Sequence, residues 1–298
     1  MTHPGVELLK QLIEPGLLEG SILERRAAMV AGTLDSPAPE GVDVLDGILG
    51  GLSCEWLIPT GTGADVADDS AAILYLHGGG YCMGNMDSHR TFCGRLALAA
   101  NIRVVMLDYR LAPESPYPRA LDDAVAGYRA LAKKVDPARI ILGGDSAGGG
   151  LALATLAHLR DEGDTLPAAA VLLSPWADLT QSADCYDELD GRDPLLQRDG
   201  LQSMADAYLE DTDPQTPGAS PIFGDLAGLP PTHISVGDQE ILLDDSRTAA
   251  KMLSNAGVDN TLTIWPDLTH VFQIFPEDLI PESQTSIEEI AEFTKRHL

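Results

Sequence analysis

Apolar residues in this chain fall into short continuous runs, separated by stretches in which they recur every three or four positions. The first pattern predicts strands buried on both faces, the second amphipathic helices. Runs at 71–76, 102–107, 139–142, 168–173, 232–236 and 261–265 read as strands. Helical spacing appears near 89–100, 118–134, 147–161 and 244–256, with a last helix from about Ser286. Residues 6–31 also read as helical. Leu8, Leu9, Leu12 and Ile13 set the period, Pro15-Gly16 interrupts it, and a second helix follows from about Leu17. Ser36-Pro37-Ala38-Pro39 closes that region. Strands alternating with helices predict an α/β fold: a mostly parallel sheet, joined by right-handed crossovers and covered on both faces.

One stretch breaks the alternation. Residues 178–222 are polar, rich in Asp and Pro, and hold one helical piece near 199–210. That is too long for a plain loop in a compact domain. It reads as an insertion over the carboxyl ends of the strands, where open α/β sheets bind ligands. The expected organisation is N-terminal helices (1–45) contributing to a cap, a core in two parts (46–177 and 223–298), and a cap insertion (178–222).

Composition narrows the partners. The 298 residues carry 46 acidic and 19 basic side chains, a formal charge of -27, which opposes binding to nucleic acid or anionic membranes. Hydrophobic residues at 44% and charged residues at 22% are those of a soluble globular chain. Cys54, Cys82, Cys93 and Cys185 form no C-x-x-C pair, so neither a zinc site nor a disulfide framework is expected. The start, Met1-Thr2-His3-Pro4, has no basic stretch followed by an apolar run, and a cytoplasmic location is expected.

The chemistry concentrates at strand ends. Gly144-Asp145-Ser146-Ala147-Gly148 lies between a predicted strand and an Ala/Leu-rich helix, the context of a G-x-S-x-G nucleophile elbow. His77-Gly78-Gly79-Gly80 directly follows the strand at 71–76. Glycines let amides approach an oxygen closely, so Gly79, Gly80 and Ala147 are the expected oxyanion donors. His77 and Gly78 belong to the same loop. A phosphate cradle is the alternative for these glycines, but no G-x-x-x-x-G-K-[ST] is present.

A serine hydroxyl needs a neutral imidazole to take its proton. Of seven histidines, His270 follows the last strand, as the order nucleophile, acid, base requires, and His297 beyond it is terminal. The acid belongs after strand 232–236, where Asp238, Glu240 and Asp244 are all candidates and periodicity does not choose among them.

Four motifs together carry a resemblance: His77-Gly78-Gly79-Gly80-Tyr81, Asp108-Tyr109-Arg110-Leu111-Ala112-Pro113-Glu114, Gly144-Asp145-Ser146-Ala147-Gly148 and Ser174-Pro175-Trp176. The chain resembles the bacterial hormone-sensitive-lipase family of esterases, the family IV lipolytic enzymes, which have the α/β-hydrolase fold. The family's D-P-L-x-D-[DE] motif aligns with Glu240-Ile241-Leu242-Leu243-Asp244-Asp245. The resemblance therefore implies Glu240 as the triad acid, with Glu in place of the usual Asp. It also implies a helical cap, no metal or cofactor, a small-molecule ester of short to medium acyl length as substrate, and a homodimer through an edge strand. Amide, lactone or carbamate hydrolysis is the alternative on the same site. A non-catalytic receptor of this fold is disfavoured by His270. Asp108, Tyr109, Arg110 and Glu114 are expected to form a buried charge network, and Cys82 to be a small packed hydrophobe.

Overall fold

Eight strands form one sheet in a computed structural model that describes residues 3–12, 20–33, 36–63 and 69–298. They are β1 (Val42–Leu49), β2 (Leu52–Pro59), β3 (Ala72–Leu76), β4 (Arg103–Leu107), β5 (Ile140–Asp145), β6 (Ala169–Leu173), β7 (Thr232–Gly237) and β8 (Asn260–Trp265). Their order across the sheet is β1-β2-β4-β3-β5-β6-β7-β8. From β4 to β8 every pairing is parallel, and only β1–β2 and β2–β4 are antiparallel. The helices are α1 (Pro4–Leu12), α2 (Ile22–Thr33), α3 (Met86–Ala100), α4 (Arg119–Leu131), α5 (Ala147–Asp161), α6 (Cys185–Glu188), α7 (Arg198–Leu209), α8 (Leu243–Asn255) and α9 (Glu282–His297). The start near Leu17 expected for the second helix lies outside the described residues.

All six predicted strands are present, with a mostly parallel sheet between helical layers. Alternate side chains of the central strands enter two different cores. Ile73, Tyr75, Val104, Met106 and Ile141 pack with α3 and α9, while Leu74, Leu76, Val105 and Leu142 pack with α4 and α5. This two-sided burial is why these strands read as unbroken apolar runs.

The hairpin β1–β2 was not legible. β1 is an edge strand with most of its length exposed, including Val44, Leu45 and Ile48, so no core imprints a pattern on it. Gly50 and Gly51, at φ +64 and +87, make its turn, because two consecutive left-handed residues match the twist of a tight hairpin. α3 starts three residues before the predicted 89. Asn85 caps it, its side chain accepting from the Ser88 amide while the Ser88 hydroxyl accepts from the Asn85 amide. Among the described residues, no helix is long and apolar enough to cross a membrane.

Candidate active site

The parallel strands β3, β5, β6, β7 and β8 present their carboxyl ends along one rim, and each predicted site residue follows one of those ends. Ser146 occupies the junction between β5 and α5, with φ 53 and ψ -124. A non-glycine residue in that region costs about 1–3 kcal/mol and persists only where its surroundings over-determine it. Here the Ser146 amide donates to the Leu173 carbonyl at 2.8 Å, and the Ser146 carbonyl accepts from Trp176 at 2.9 Å. α5 opens Ala147-Gly148-Gly149-Gly150 despite the poor helix propensity of glycine. The reason is close approach: a Cβ on Gly148 would lie 2.0 Å from the Leu76 carbonyl oxygen, and one on Gly150 2.0 Å from that of Trp176. The first amides of α5, that of Ala147 among them, have no carbonyl four residues back within the helix, and the helix dipole makes that end attractive to negative charge.

The glycine loop after β3 lies beside this turn. Gly79 and Gly80 have φ +119 and +62. Asp145, one residue before Ser146, holds the loop from below: its Oδ1 accepts from the Gly78 amide at 3.1 Å and the Tyr75 hydroxyl at 2.9 Å. Tyr109 braces it from the side, donating its hydroxyl to the His77 carbonyl at 2.6 Å with its ring stacked on the His77 imidazole. Burial first, and then His89, hold the His77 pKa down at about 4, so its ring is neutral at neutral pH.

Glu240 and His270 come together although 30 residues separate them. His270 Nδ1 lies 2.6 Å from Glu240 Oε2, and Glu240 Oε1 accepts from the Ser174 hydroxyl at 2.7 Å and the Gly237 amide at 2.8 Å. The Glu240 side chain is wholly buried. A carboxylate only accepts, so the Nδ1 proton belongs to the imidazole and Nε2 is left with its lone pair. Ser174 is the hinge pin: at the end of β6 with φ 45, its Oγ donates to Glu240 and accepts from the Val271 amide at 3.2 Å.

The other two acid candidates are occupied elsewhere. Asp238 Oδ1 accepts from the Asp267 amide at 2.7 Å, tying the loop after β8 to the loop after β7. Asp244 is partly exposed and pairs with Arg247 one helical turn on. The charge of Asp145 also acts on the His270 imidazole, and Ser146 and His270 are each 5% exposed.

Burial works to lower the His270 pKa. The charge and hydrogen bond of Glu240, then the charges of Asp193 and Asp145, outweigh it, so the net shift is upward from the ordinary 6.5. A base must be neutral, so kcat/KM for an ester is expected to fall as pH drops through a midpoint above 6.5. A pH–rate profile that stays flat through that range contradicts the assignment of His270.

The expected buried charge network around Asp108–Glu114 is not what the structure contains. Tyr109 is buried, but Asp108, Arg110 and Glu114 are exposed. Arg110 makes a bidentate pair with Asp123, and Glu114 pairs with Arg26 of α2. Hydrating three such charges costs less than burying them, so only the aromatic member is taken inside. Arg26 matters more than its sequence suggests. It donates to the carbonyls of Cys82, at 2.6 Å, and Ala112, fixing α2 against the glycine-loop region. Cys82 itself is a buried free thiol, its pKa pushed up to about 12 first by burial, as a packed hydrophobe requires.

From the 178–222 stretch, α7 reaches the same loop. A Cβ on Gly80 would lie 2.2 Å from the Met204 sulfur, and Tyr208 stacks on Tyr81 with ring centroids 3.9 Å apart. A cavity of about 220 Å³ lies here, walled by Arg25, Leu195, Leu196, Gly200, Leu201 and Met204. Ser174, Asp145, Arg26 and Asp193 are the contributors that sequence reasoning left without a role. Asp145 and Ser174 lie inside quoted motifs, but no local signal marks Arg26 or Asp193, which act through partners distant in the chain.

Comparison with known proteins adds three findings. A family described as having the alpha/beta hydrolase fold matches residues 73–274. The chain is 41% identical to an acetyl-hydrolase of Streptomyces hygroscopicus over 99% of its own length and 97% of that protein, and 37% identical to an esterase of Acinetobacter venetianus over 76% and 75%. A crystal structure of an esterase from the bacterial hormone-sensitive lipase family superposes with a TM-score of 0.91 at 39% identity, covering 100% of this chain and 99% of that one.

Proposed function

This chain belongs to the α/β-hydrolase family and, within it, to the bacterial hormone-sensitive-lipase esterases, and from that premise we propose that it is a serine carboxylesterase acting on esters of short to medium acyl length. The observation that supports the reading most directly is the buried pair of His270 and Glu240 at 2.6 Å, on the rim that also carries the strained Ser146.

In this reading Ser146 Oγ attacks the acyl carbonyl carbon while its proton passes to Nε2 of His270. The carbonyl oxygen takes up the displaced electron pair and accepts hydrogen bonds from the amides of Gly79, Gly80 and Ala147. One such donor is worth about 3–4 kcal/mol in the transition state. The tetrahedral species collapses as His270 returns the proton to the departing alkoxide, leaving an acyl-serine. Water then gives a proton to His270 and attacks the acyl carbon; the carboxylic acid leaves and Ser146 regains its proton. Glu240 keeps its hold on Nδ1 throughout and steadies the imidazolium.

We read α1, α2 and residues 178–222 as a cap. The support is the contact of α7 with Gly80 and Tyr81, and of Arg26 with the Cys82 carbonyl just after them. A relative named as an acetyl-hydrolase, similar over nearly the whole chain, supports a short acyl group. A series of p-nitrophenyl esters from acetyl to dodecanoyl tests this. The expected kcat/KM peaks at the short end and falls by roughly tenfold or more by dodecanoyl. A preference for long emulsified chains points to a lipase instead. Absence of turnover, together with no labelling of Ser146 by a fluorophosphonate, removes the esterase reading.

A further inference from the structure

The base has a second carboxylate behind it that the triad does not use. Asp193 lies in the loop between α6 and α7 and is 3% exposed. Its Oδ2 accepts from the backbone amide of His270 at 2.7 Å. Its Oδ1 accepts from the amides of Leu195 at 2.7 Å and Leu196 at 3.3 Å, and both leucines wall the cavity. One buried side chain thus joins the cavity wall to the base, while the imidazole remains free to pair with Glu240.

We propose that Asp193 is a positioning residue for the reaction: it clamps the backbone of His270 to the cavity wall and thereby sets where the imidazole stands. The inference rests on the ester-hydrolase reading of the same site. Its physical basis is the backbone at 270–271. Val271 has φ 43, a left-handed conformation that a β-branched residue adopts only under constraint. The constraints here come from two side chains, Asp193 on the His270 amide and Ser174 on the Val271 amide. Without the first, the strained turn is held on one side only and the imidazole is free to swing. Burial first pushes the Asp193 pKa up from the ordinary 3.8, while the charge of His270 and the amide donors work the other way and favour the carboxylate.

That charge makes the role measurable. The charged groups acting on His270 are Glu240 from the loop after β7, Asp193 from the insertion and Asp145 from the end of β5. All three favour the imidazolium, so deleting one lowers the imidazole pKa. Asp193→Asn keeps the size and an oxygen acceptor but removes the charge. The acidic limb of its kcat/KM profile is expected to move down by about half a pH unit or more, with kcat at alkaline pH within about threefold of the parent. Asp193→Ala removes the clamp as well. Its kcat is expected to fall about tenfold or more, with a smaller change in KM, and Asn restores most of that loss.

Rates are taken per active site, titrated with a fluorophosphonate, and thermal unfolding is followed in parallel. An acidic limb unmoved in Asp193→Asn overturns the proposal, as does a parental kcat in Asp193→Ala. Failure of the unsubstituted protein to hydrolyse esters or take the label strikes the esterase reading itself and is seen before any variant is made.

Discussion

Ser146→Ala is expected to abolish hydrolysis of a short chromogenic ester, with kcat falling by on the order of 10⁴- to 10⁶-fold, while the protein stays folded. The loss is large because no other group on the rim supplies a nucleophile there: the oxyanion amides and the imidazole still polarise a carbonyl and a water, but no acyl-enzyme forms. Folding is expected to survive because alanine carries the same Cβ at the same φ of 53, so the backbone strain is unchanged. The bonds that fix the turn run through the amide and carbonyl of residue 146 rather than its hydroxyl. Stability is expected to change by less than about 1 kcal/mol, read as a shift of a few degrees in the unfolding midpoint. A variant that keeps more than about one part in a hundred of the parental rate would remove Ser146 from the mechanism.

Glu240→Ala comes next in size. A loss of about 10³- to 10⁴-fold in kcat is expected, because the imidazole loses both the acceptor that fixes its tautomer and the charge that steadies its protonated form. Glu240→Gln is expected to be nearly as poor. An amide can turn its NH₂ toward Nδ1, which stabilises the wrong tautomer, and it carries no charge. Asp238→Ala and Asp244→Ala are expected to stay within about threefold of the parent in rate, since their carboxylates serve the Asp267 amide and Arg247 instead. Truncating Glu240 also leaves the Ser174 hydroxyl and the Gly237 amide without their acceptor, so a stability loss of about 1–3 kcal/mol accompanies the kinetic one. Circular dichroism at the assay temperature separates the two: a folded, inactive Glu240→Ala fits the role, whereas equal losses at Asp238 or Asp244 would reassign it.

Several parts of this molecule follow from local sequence. Strands β3 to β7 were legible because burial on both faces favours an unbroken apolar run, the edge strand β8, with no residue buried, by its Leu262, Ile264 and Trp265, and the helices because burial on one face demands a period near four. The glycines at 78–80 and Gly148 were legible for a related reason: a Cβ has no room there, meeting backbone at Gly79 and Gly148 and the side chains of Asp145 and Met204 at Gly78 and Gly80. The order of Ser146, the acidic stretch after β7 and His270 along the chain was likewise readable.

The chain alone left three carboxylates open as partner to His270; register against the family motif pointed to Glu240, and the folded geometry puts that side chain, not Asp238 or Asp244, on Nδ1. Strand order β5-β6-β7-β8 brings four strand ends side by side, and a serine at the end of β6 then joins the loops from β7 and β8. Asp193, Arg26 and the hairpin β1–β2 belong to the same class. Their partners are remote in the chain, or their faces are open to water, so neither leaves a periodic trace. Periodicity records which side of an element is buried, and a motif records what must fit in one turn. Which carboxylate meets which imidazole depends on distances across the sheet, and those exist only once the strands have paired.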